Sequence, residues 1–260
     1  MVTAGIDIGS LTAKAVILDF EAAGLLGQSL MATGRSPEQA GALVLSNALD
    51  DAGLQADAVR ASVATGYGRG VMQGVERRIT EISCHARGAR HVVPGARTVI
   101  DLGGQDAKVI SLDEMGRPLD FEMNDRCAAG TGRFLEVMAG ALDVSVGQFG
   151  ELANSAETAA SLSSTCTVFA ESEVIGLLTE GHSVAEIAAG LCNAIAQRTL
   201  HMANRLRVEP PVVLCGGVAL NAGVRRAIDG ALGMEVIVPE GPQLVGALGA
   251  ALLAGEMACR

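Results

Sequence analysis

Short apolar runs alternate with longer amphipathic stretches along the chain. The runs are rich in Val, Ile, Leu and Ala, and they are bounded by Gly, Ser and Asp, which is the pattern of β-strands. The strands are expected near residues 2–9, 13–20, 27–33, 60–65, 97–101, 106–112 and 117–123. Helical spacing dominates from about residue 130 to 206. Mixed strands and helices in this order predict an α/β fold.

The first two predicted strands form a hairpin with a carboxylate at its bend. The segment GIDIGSLTAKAVI passes through Asp7, turns at Gly9 and Ser10, and resumes as a strand. The pattern returns at a constant offset of 94 residues in VIDLGGQDAKVI. The matched positions are Ile6, Asp7, Gly9, Ala13 and Lys14 in the first copy and Ile100, Asp101, Gly103, Ala107 and Lys108 in the second. Two copies in register predict an internally duplicated chain.

Paired glycine turns of this kind suit a nucleotide phosphate chain. One such hairpin is more often an ordinary tight turn, but two could grip phosphate oxygens through backbone N–H groups. Asp7 and Asp101 would then face a shared magnesium ion, which needs only one or two carboxylates. The expected phosphate contacts are Gly9, Ser10, Leu11, Thr12, Lys14, Gly103, Gly104 and Gln105. Lys14 could instead be a solvated lysine at a strand end, and either Gln105 or Asp106 could orient the attacking water.

A third glycine-rich element is VVLCGGVALNAGVRRAI, in which a buried strand runs through two glycines into a helix. It is either a packing turn or, beside the two hairpins, a nucleoside contact. The nucleoside interpretation assigns this contact to Gly216, Gly217 and Asn221. The final segment GPQLVGALGAALLAG is helical and rich in small residues, with Gly246 and Gly249 permitting close helix packing. Gln243, ahead of it, is also assigned to the nucleotide.

These three elements, in this order, resemble the phosphate and adenosine motifs of the sugar kinase, actin and heat-shock ATPase superfamily. The resemblance implies two RNase H-like domains with ATP or ADP in the cleft. We expect one domain over residues 1–95 plus 241–260 and a second over 96–240, which carries the cysteines discussed next. A small-molecule kinase of the same fold and a nucleotide-controlled actin-like scaffold are the rival functions at this point.

Two of the six cysteines, Cys127 and Cys166, directly precede helix-like runs in NDRCAAGTGRFLEVMAG and SSTCTVFAESEVIGLL. The positive end of a helix favours a thiolate or an anionic cofactor. No CxxC pair is present, and two thiolates are half of what a 4Fe-4S cluster needs, so a symmetric homodimer could hold one cluster. The other four cysteines are expected to be small buried apolar residues: Cys84, Cys192, Cys215 and Cys259.

Blocks along nearly the whole chain resemble the activator component of (R)-2-hydroxyacyl-CoA dehydratases, of the BadF/BadG/BcrA/BcrD ATPase family. They are GIDIGSLTAK, ATGYGRG, EISCHARGAR, VIDLGGQDAKVI, MNDRCAAGTGRFLEVMA, SSTCTVFAESEVI and CGGVALN. The resemblance implies a homodimer with one 4Fe-4S cluster on Cys127 and Cys166 of each subunit, and electron transfer to the dehydratase coupled to ATP hydrolysis. It also implies ferredoxin or flavodoxin as electron donor and an oxygen-sensitive protein of anaerobic metabolism. Activators of double-cubane-cluster reductases share the CAAGTGRFLE and CTVFAESE blocks, so substrate choice belongs to the partner. An activator of a related double-cubane-cluster or benzoyl-CoA-type reductase is therefore the alternative function.

Charge and composition argue against two other classes of function. The formal charge is −10 and aromatic residues are 2% of the chain, so nucleic acid is not an expected partner. No apolar run approaches the ~20 residues that span a bilayer, and the N-terminus lacks a signal pattern, so a cytoplasmic protein is expected.

Several further residues are left with open roles. The histidines show no metal spacing and are expected on the surface or on helix faces: His85, His91, His182 and His201. In the TGYGRG turn, which carries Tyr67, an exposed Arg69 could contact a partner or be solvated. Thr131 and Arg133 are expected in interdomain packing or partner docking.

Overall fold

A computed structural model describes residues 1–162 and 167–259 of the chain. The chain divides into two compact units. Unit 1 contains residues 1–99, 112–119 and 239–260, and unit 2 contains residues 100–111 and 120–238. Each unit has its own five-stranded sheet and its own hydrophobic core.

The sheet of unit 1 has the strand order β3-β2-β1-β4-β5. The strands are β1 (Val2–Ile8), β2 (Thr12–Asp19), β3 (Gly24–Ala32), β4 (Ala61–Thr65) and β5 (Arg77–Arg78). β1 pairs antiparallel with β2 and parallel with β4, so it lies at the centre of the sheet. From Thr3 to Ile8 every residue of β1 is buried, which explains its continuous apolar run.

Three helices cover this sheet: α1 (Pro37–Asp51), α2 (Glu81–Val92) and α8 (Val245–Ala258). Thr80 caps α2 by accepting a hydrogen bond from Ser83 N at 3.3 Å. The helices α2 and α8 pack with their backbones close together, because a side chain at Gly88 or Gly249 would collide with the backbone of the other helix. The expectation of close helix packing at Gly249 is therefore confirmed.

The sheet of unit 2 repeats the same order, β8-β7-β6-β9-β10. Its strands are β6 (Thr98–Leu102), β7 (Ala107–Leu112), β8 (Pro118–Asn124), β9 (Val212–Cys215) and β10 (Val236–Ile237). Its helices are α3 (Gly132–Ala141), α4 (Val146–Ser155), α5 (Thr167–Thr179), α6 (Val184–Ala203) and α7 (Ala222–Leu232). The helix α6 begins with a capping box between Ser183 and Glu186.

The seven strands predicted from the apolar runs are all present, with ends that differ by at most a few residues. The mixed α/β class and the helical character of residues 130–206 are confirmed over the described residues. The equal strand order of the two sheets extends the duplication beyond the hairpins. In the described part of the chain, every helix is too short or too polar to cross a membrane.

Candidate nucleotide site and cysteine loop

The hairpin of unit 1 places Asp7 opposite Lys14. The two residues are direct partners in the β1–β2 register, and the turn closes with a 3.0 Å hydrogen bond from Gly9 N to Thr12 O. Lys14 Nζ lies 3.3 Å from Asp7 Oδ2, and both side chains are largely buried. The alternative of a solvated lysine at this strand end is therefore wrong.

The hairpin of unit 2 repeats this ion pair and adds a second carboxylate. Lys108 Nζ lies 3.1 Å from Asp101 Oδ2 and 2.8 Å from Asp106 Oδ2, and Lys108 is only 1% exposed. Gly103 N closes the turn on Asp106 O at 2.9 Å. Asp106 is thus held on the lysine, while Gln105 is exposed at the tip of the turn.

A glycine after a central parallel strand abuts each of these carboxylates, and the sequence patterns did not predict this repetition. Gly66 follows β4 with φ 85° and ψ 177°, and Gly216 follows β9 with φ 86° and ψ 175°. A Cβ at Gly66 would collide with Asp7 Oδ1, and one at Gly216 would lie 2.9 Å from Asp101 Oδ1. Glycine is required at both positions, because φ is positive and because there is no room for a Cβ. A short 3₁₀ turn follows each glycine, Tyr67–Gly70 in unit 1 and Gly217–Leu220 in unit 2.

The TGYGRG segment of unit 1 is therefore the structural counterpart of the CGGVAL segment of unit 2. Its Arg69 is half-buried, and the guanidinium donates to Gly66 O at 3.0 Å and lies 3.9 Å from Glu81. Arg69 stabilises the turn that borders Asp7, whereas the sequence predicted an exposed side chain. Tyr67 is exposed. The signal that could have shown the likeness is a buried strand that ends in a glycine in both units.

Asn221 is the N-cap of α7. Its Oδ1 accepts a hydrogen bond from Val224 N at 3.0 Å, and its Nδ2 is buried without a partner among the described residues. A buried donor without an acceptor lowers stability by about 1–3 kcal/mol. A ligand or water that accepts a hydrogen bond from this N–H group would remove that penalty and so be bound more tightly. Gly217 belongs to the turn before this cap, and Gln243 lies in unit 1, just ahead of α8.

Cys127 lies half-buried in the loop between β8 and α3, five residues before the helix begins. Its carbonyl accepts a 2.7 Å hydrogen bond from Asn124 Nδ2. Thr131, which is fully buried, donates from its hydroxyl to Ala128 O at 2.6 Å. The loop is thus held by its own polar groups. Cys166 lies outside the described residues.

The first turn of α3 is bonded directly to the glycine turn of the second hairpin. Gly132 N donates to Gly103 O at 2.9 Å, and Arg133 N donates to Gly104 O at 2.8 Å. These N–H groups need partners outside the helix, and Thr131 supplies no side-chain cap. The carbonyls of the hairpin turn therefore take the place of a capping side chain.

Three other cysteines are buried thiols. Burial raises the pKa of Cys84 to about 12, and the negative charge of Asp7 adds to the shift. Burial also raises the pKa of Cys192 to about 12. Burial and the charge of Asp101 raise the pKa of Cys215 well above its ordinary value. The expectation of small buried residues holds for these three.

Cys259 departs from the expectation of burial. It is exposed at the C-terminal end of α8, where the helix has left the core. The difference arises because the apolar pattern of α8 stops before Cys259, which is the C-cap of the helix.

Alkylation of the folded protein should distinguish the exposed thiol from the buried ones. At mildly alkaline pH, iodoacetamide is expected to modify Cys259 and to leave Cys84, Cys192 and Cys215 unmodified, because a buried neutral thiol is a poor nucleophile. Mass spectrometry of tryptic peptides measures the labelled fraction, and the same reaction in guanidinium chloride is the control for full access. Labelling of Cys84 or Cys192 as fast as that of Cys259 would contradict the burial described here.

Of the two expectations for His85, a surface position or a helix face, the structure shows the helix face, and the residue is buried in unit 1 at 6% exposure. It lies on the inner face of α2 beside the start of α8. Over residues 1–162 and 167–259, no three His, Cys, Asp or Glu side chains form a group that could hold a metal ion.

Two repeated sheets with a carboxylate hairpin and a glycine turn in each define an actin-like ATPase fold. The sequence profile of the BadF/BadG/BcrA/BcrD ATPase family matches residues 4–254. The chain belongs to this family.

Curated relatives and solved structures cover the whole chain. The activator of lactoyl-CoA dehydratase from Anaerotignum propionicum is 49% identical over 99% of both chains. The activator of the 2-hydroxyisocaproyl-CoA dehydratase from Clostridium difficile, solved with bound ADPNP, superposes with a TM-score of 0.94 at 44% identity and covers 100% of this chain and 96% of its own. Component A of the (R)-2-hydroxyglutaryl-CoA dehydratase from Acidaminococcus fermentans gives a TM-score of 0.96 at 43% identity over 100% of both chains. The chain is therefore similar to activators of 2-hydroxyacyl-CoA dehydratases over its full length.

Proposed function

We propose that this protein is the ATP-dependent activator of a 2-hydroxyacyl-CoA dehydratase. Two copies hold one 4Fe-4S cluster through Cys127 and Cys166 of each chain, and ATP hydrolysis drives an electron from the cluster to the dehydratase. The full-length similarity to three such activators supports the activator role. Ferredoxin or flavodoxin is the proposed electron donor.

The nucleotide part of the proposal rests on the two hairpins. Each has a buried carboxylate whose Oδ2 is paired with a lysine and whose Oδ1 abuts a glycine turn. Oxygen donors of this kind suit magnesium, which keeps most of its waters and takes one or two carboxylates. We assign Asp7 and Asp101 to magnesium and Gln105, exposed at the turn, to the attacking water. The nucleotide contacts proposed from the sequence are kept: Gly9, Ser10, Leu11, Thr12, Lys14, Gly103, Gly104, Gly216, Gly217, Asn221 and Gln243.

The observation that carries the coupling is the pair of backbone hydrogen bonds from Gly132 and Arg133 to Gly103 and Gly104. The glycine turn proposed to contact phosphate and the helix that follows Cys127 are thereby one hydrogen-bonded element of unit 2. A change in the turn on hydrolysis moves the carbonyls that cap α3, and α3 carries the cysteine loop with it. When bound, a 4Fe-4S cluster supplies one-electron transfer at a potential set by hydrogen bonds and exposure.

The described half of the ligand set fits a cluster. Cys127 is a free thiol, half-buried, in a loop that is held by hydrogen bonds from the Asn124 side chain and the Thr131 hydroxyl. The thiol is thus available while the backbone around it is held in place. The second proposed ligand, Cys166, lies outside the described residues.

An anaerobic iron and acid-labile sulfide assay tests this proposal. We expect about four iron atoms per two chains, because a cube takes four thiolates and each chain supplies two. Cys127→Ser and Cys166→Ser should each lose most of the iron. Cys259→Ser, which changes an exposed cysteine, is the matched control and should keep it.

Two results would contradict the proposal. The first is wild-type protein that is purified without oxygen, contains no iron and still activates a dehydratase. The second is equal iron content in Cys127→Ser and Cys259→Ser. Phosphorylation of a hexose by an iron-free protein would favour the kinase alternative.

A further inference from the structure

Arg198 on α6 carries a positive charge that has no counter-charge in the part of the chain that the structure describes. The side chain is half-buried, and its Nε is buried without a hydrogen-bond partner. Among the described residues it also makes no ion pair. Partial burial of a charge without a partner opposes folding. A side chain that lowers stability in this way is a candidate for a functional role.

No carboxylate of α6, β8 or the cysteine loop (125–131), all of them described, pairs with Arg198. The single carboxylate of α6, Glu186, belongs to the capping box at the other end of the helix, about 18 Å away. Glu122 of β8 is bonded instead to Arg205, at 2.6 Å. Asp125 of the cysteine loop is exposed. The charge of Arg198 is therefore free to act on another anion.

The side chain of Arg198 packs on the cysteine loop. A Cβ at Gly130 would lie 3.1 Å from Arg198 Cδ and 3.8 Å from its Cγ. Gly130, with φ 85°, is the third residue of a tight turn that Thr131 N closes on Ala128 O at 3.0 Å. Nε is bonded directly to Cδ, so the guanidinium begins at this turn. Cys127 is the residue immediately before the turn.

The proposed cluster is an anion, because it is held by cysteine thiolates, and the electron that it accepts adds one more negative charge. A positive charge beside such a group favours the reduced form over the oxidised form. Net charge and surroundings are among the factors that set the potential of an iron–sulfur cluster. An unpaired arginine on the loop of one ligand is therefore placed to raise this potential.

We infer that Arg198 sets the reduction potential of the 4Fe-4S cluster proposed at Cys127, with its guanidinium as the positive charge that offsets the cluster. The inference rests on the proposed function, in which one electron passes from the donor to the cluster and from the cluster to the dehydratase. The guanidinium makes the first transfer easier and the second harder. Arg198 is thus a residue that tunes the electron transfer and does not itself react.

Redox titration of the anaerobic protein, followed by the electron paramagnetic resonance signal of the reduced cluster, tests this role. At a fixed potential, Arg198→Met should lower the ratio of reduced to oxidised protein about tenfold, which is about 59 mV for one electron. Arg198→Lys keeps the charge and should stay close to wild type. Arg205→Met is the matched control, because it removes an arginine that is already paired with Glu122, and it should also stay close to wild type.

A denaturant titration separates this role from a structural one. Arg198→Met should unfold at no lower guanidinium chloride concentration than wild type, because the substitution breaks no hydrogen bond or ion pair among the described residues. If the methionine variant does not fold, Arg198→Gln replaces it, and the same tenfold difference is expected between the glutamine and lysine variants.

Two results would overturn the inference: an unchanged potential in a folded variant without the charge, or a shift in Arg198→Lys as large as that in Arg198→Met. Loss of stability in Arg198→Met with an unchanged potential would show a structural arginine. Wild-type protein that is purified without oxygen and contains no cluster would instead overturn the proposed function.

Discussion

Replacing Lys108 with methionine is expected to lower the free energy of unfolding by about 3–5 kcal/mol, the usual cost of removing one partner from a buried ion pair. Lys108 is 1% exposed and bonds to both Asp101 and Asp106. Methionine fills a similar volume but leaves the two carboxylates near each other without the ammonium group. Their mutual repulsion and their poor solvation then oppose folding.

Denaturant titration followed by circular dichroism is the suitable measurement, because the chain has no Trp to report by fluorescence. The matched control is Lys14→Met, since among the described residues Lys14 pairs with one carboxylate, Asp7, and its side chain is less deeply buried. Lys14→Met should lower the free energy of unfolding clearly less than Lys108→Met does. Both titrations are made without magnesium, which would bind the freed carboxylates and reduce the loss.

A second substitution in the same cluster separates charge from packing. Asp106→Asn removes one of the two carboxylates, so the double variant Lys108→Met with Asp106→Asn should recover part of the lost stability. If Lys108→Met lowers the free energy of unfolding by less than about 1 kcal/mol, the ion pairs of Lys108 with Asp101 and Asp106 do not stabilise the fold. This account of the second hairpin would then be wrong.

The two hairpins could be predicted because their information is local. The glycine turn fixes the register, and in that register Asp7 and Lys14 are direct partners. The sequence therefore predicts that the two side chains are neighbours, although the pattern alone is equally compatible with a solvated lysine at this strand end. The same holds for the strands, whose apolar runs are continuous where the sheet is covered by helices, as in β1 and β6.

The meeting of His85, Asp7 and Gly246 could not be predicted in this way. A Cβ on Gly246 would lie 2.9 Å from His85 Cε1 and 3.1 Å from Asp7 Oδ2, although the three residues are far apart in the chain. They lie on α8, α2 and β1, and only the packing of α8 against both α2 and β1 brings them together. The likeness between Gly66 and Gly216 was missed for another reason. The helices α3 to α6 separate β8 from β9, so the glycine turns no longer repeat at the offset of the hairpins.

The hydrogen bonds that cap the start of α3 could not be predicted from the sequence either. The sequence places a helix after Cys127, but it cannot show that the carbonyls of Gly103 and Gly104 cap this helix. Helix caps are usually read from Ser, Thr, Asp or Asn side chains, and Thr131 makes no such bond. Backbone caps from a distant turn leave no pattern in the sequence.

Gly132→Pro is expected to abolish most of the nucleotide effect on the cysteine loop. Gly132 is the first residue of α3 and Thr131 before it is extended, so a proline fits the helix start. Proline has no N–H, however, and its ring occupies the space in which Gly132 N now meets Gly103 O. The turn and the helix must separate, and the path proposed to link phosphate to Cys127 is interrupted.

The rate at which a chelator removes iron from the anaerobic protein reports this coupling. In wild type, ATP and ADP complexes should differ in this rate by roughly 5–150-fold, the usual range of a coupling between two sites. In Gly132→Pro the ratio should fall close to one, with nucleotide affinity measured separately by calorimetry. Gly132→Ala is the control, because its Cβ would lie 3.5 Å from Gly103 O in ordinary contact and the N–H is retained. If Gly132→Pro folds, binds iron and keeps the wild-type ratio, nucleotide state reaches Cys127 by a route other than these hydrogen bonds.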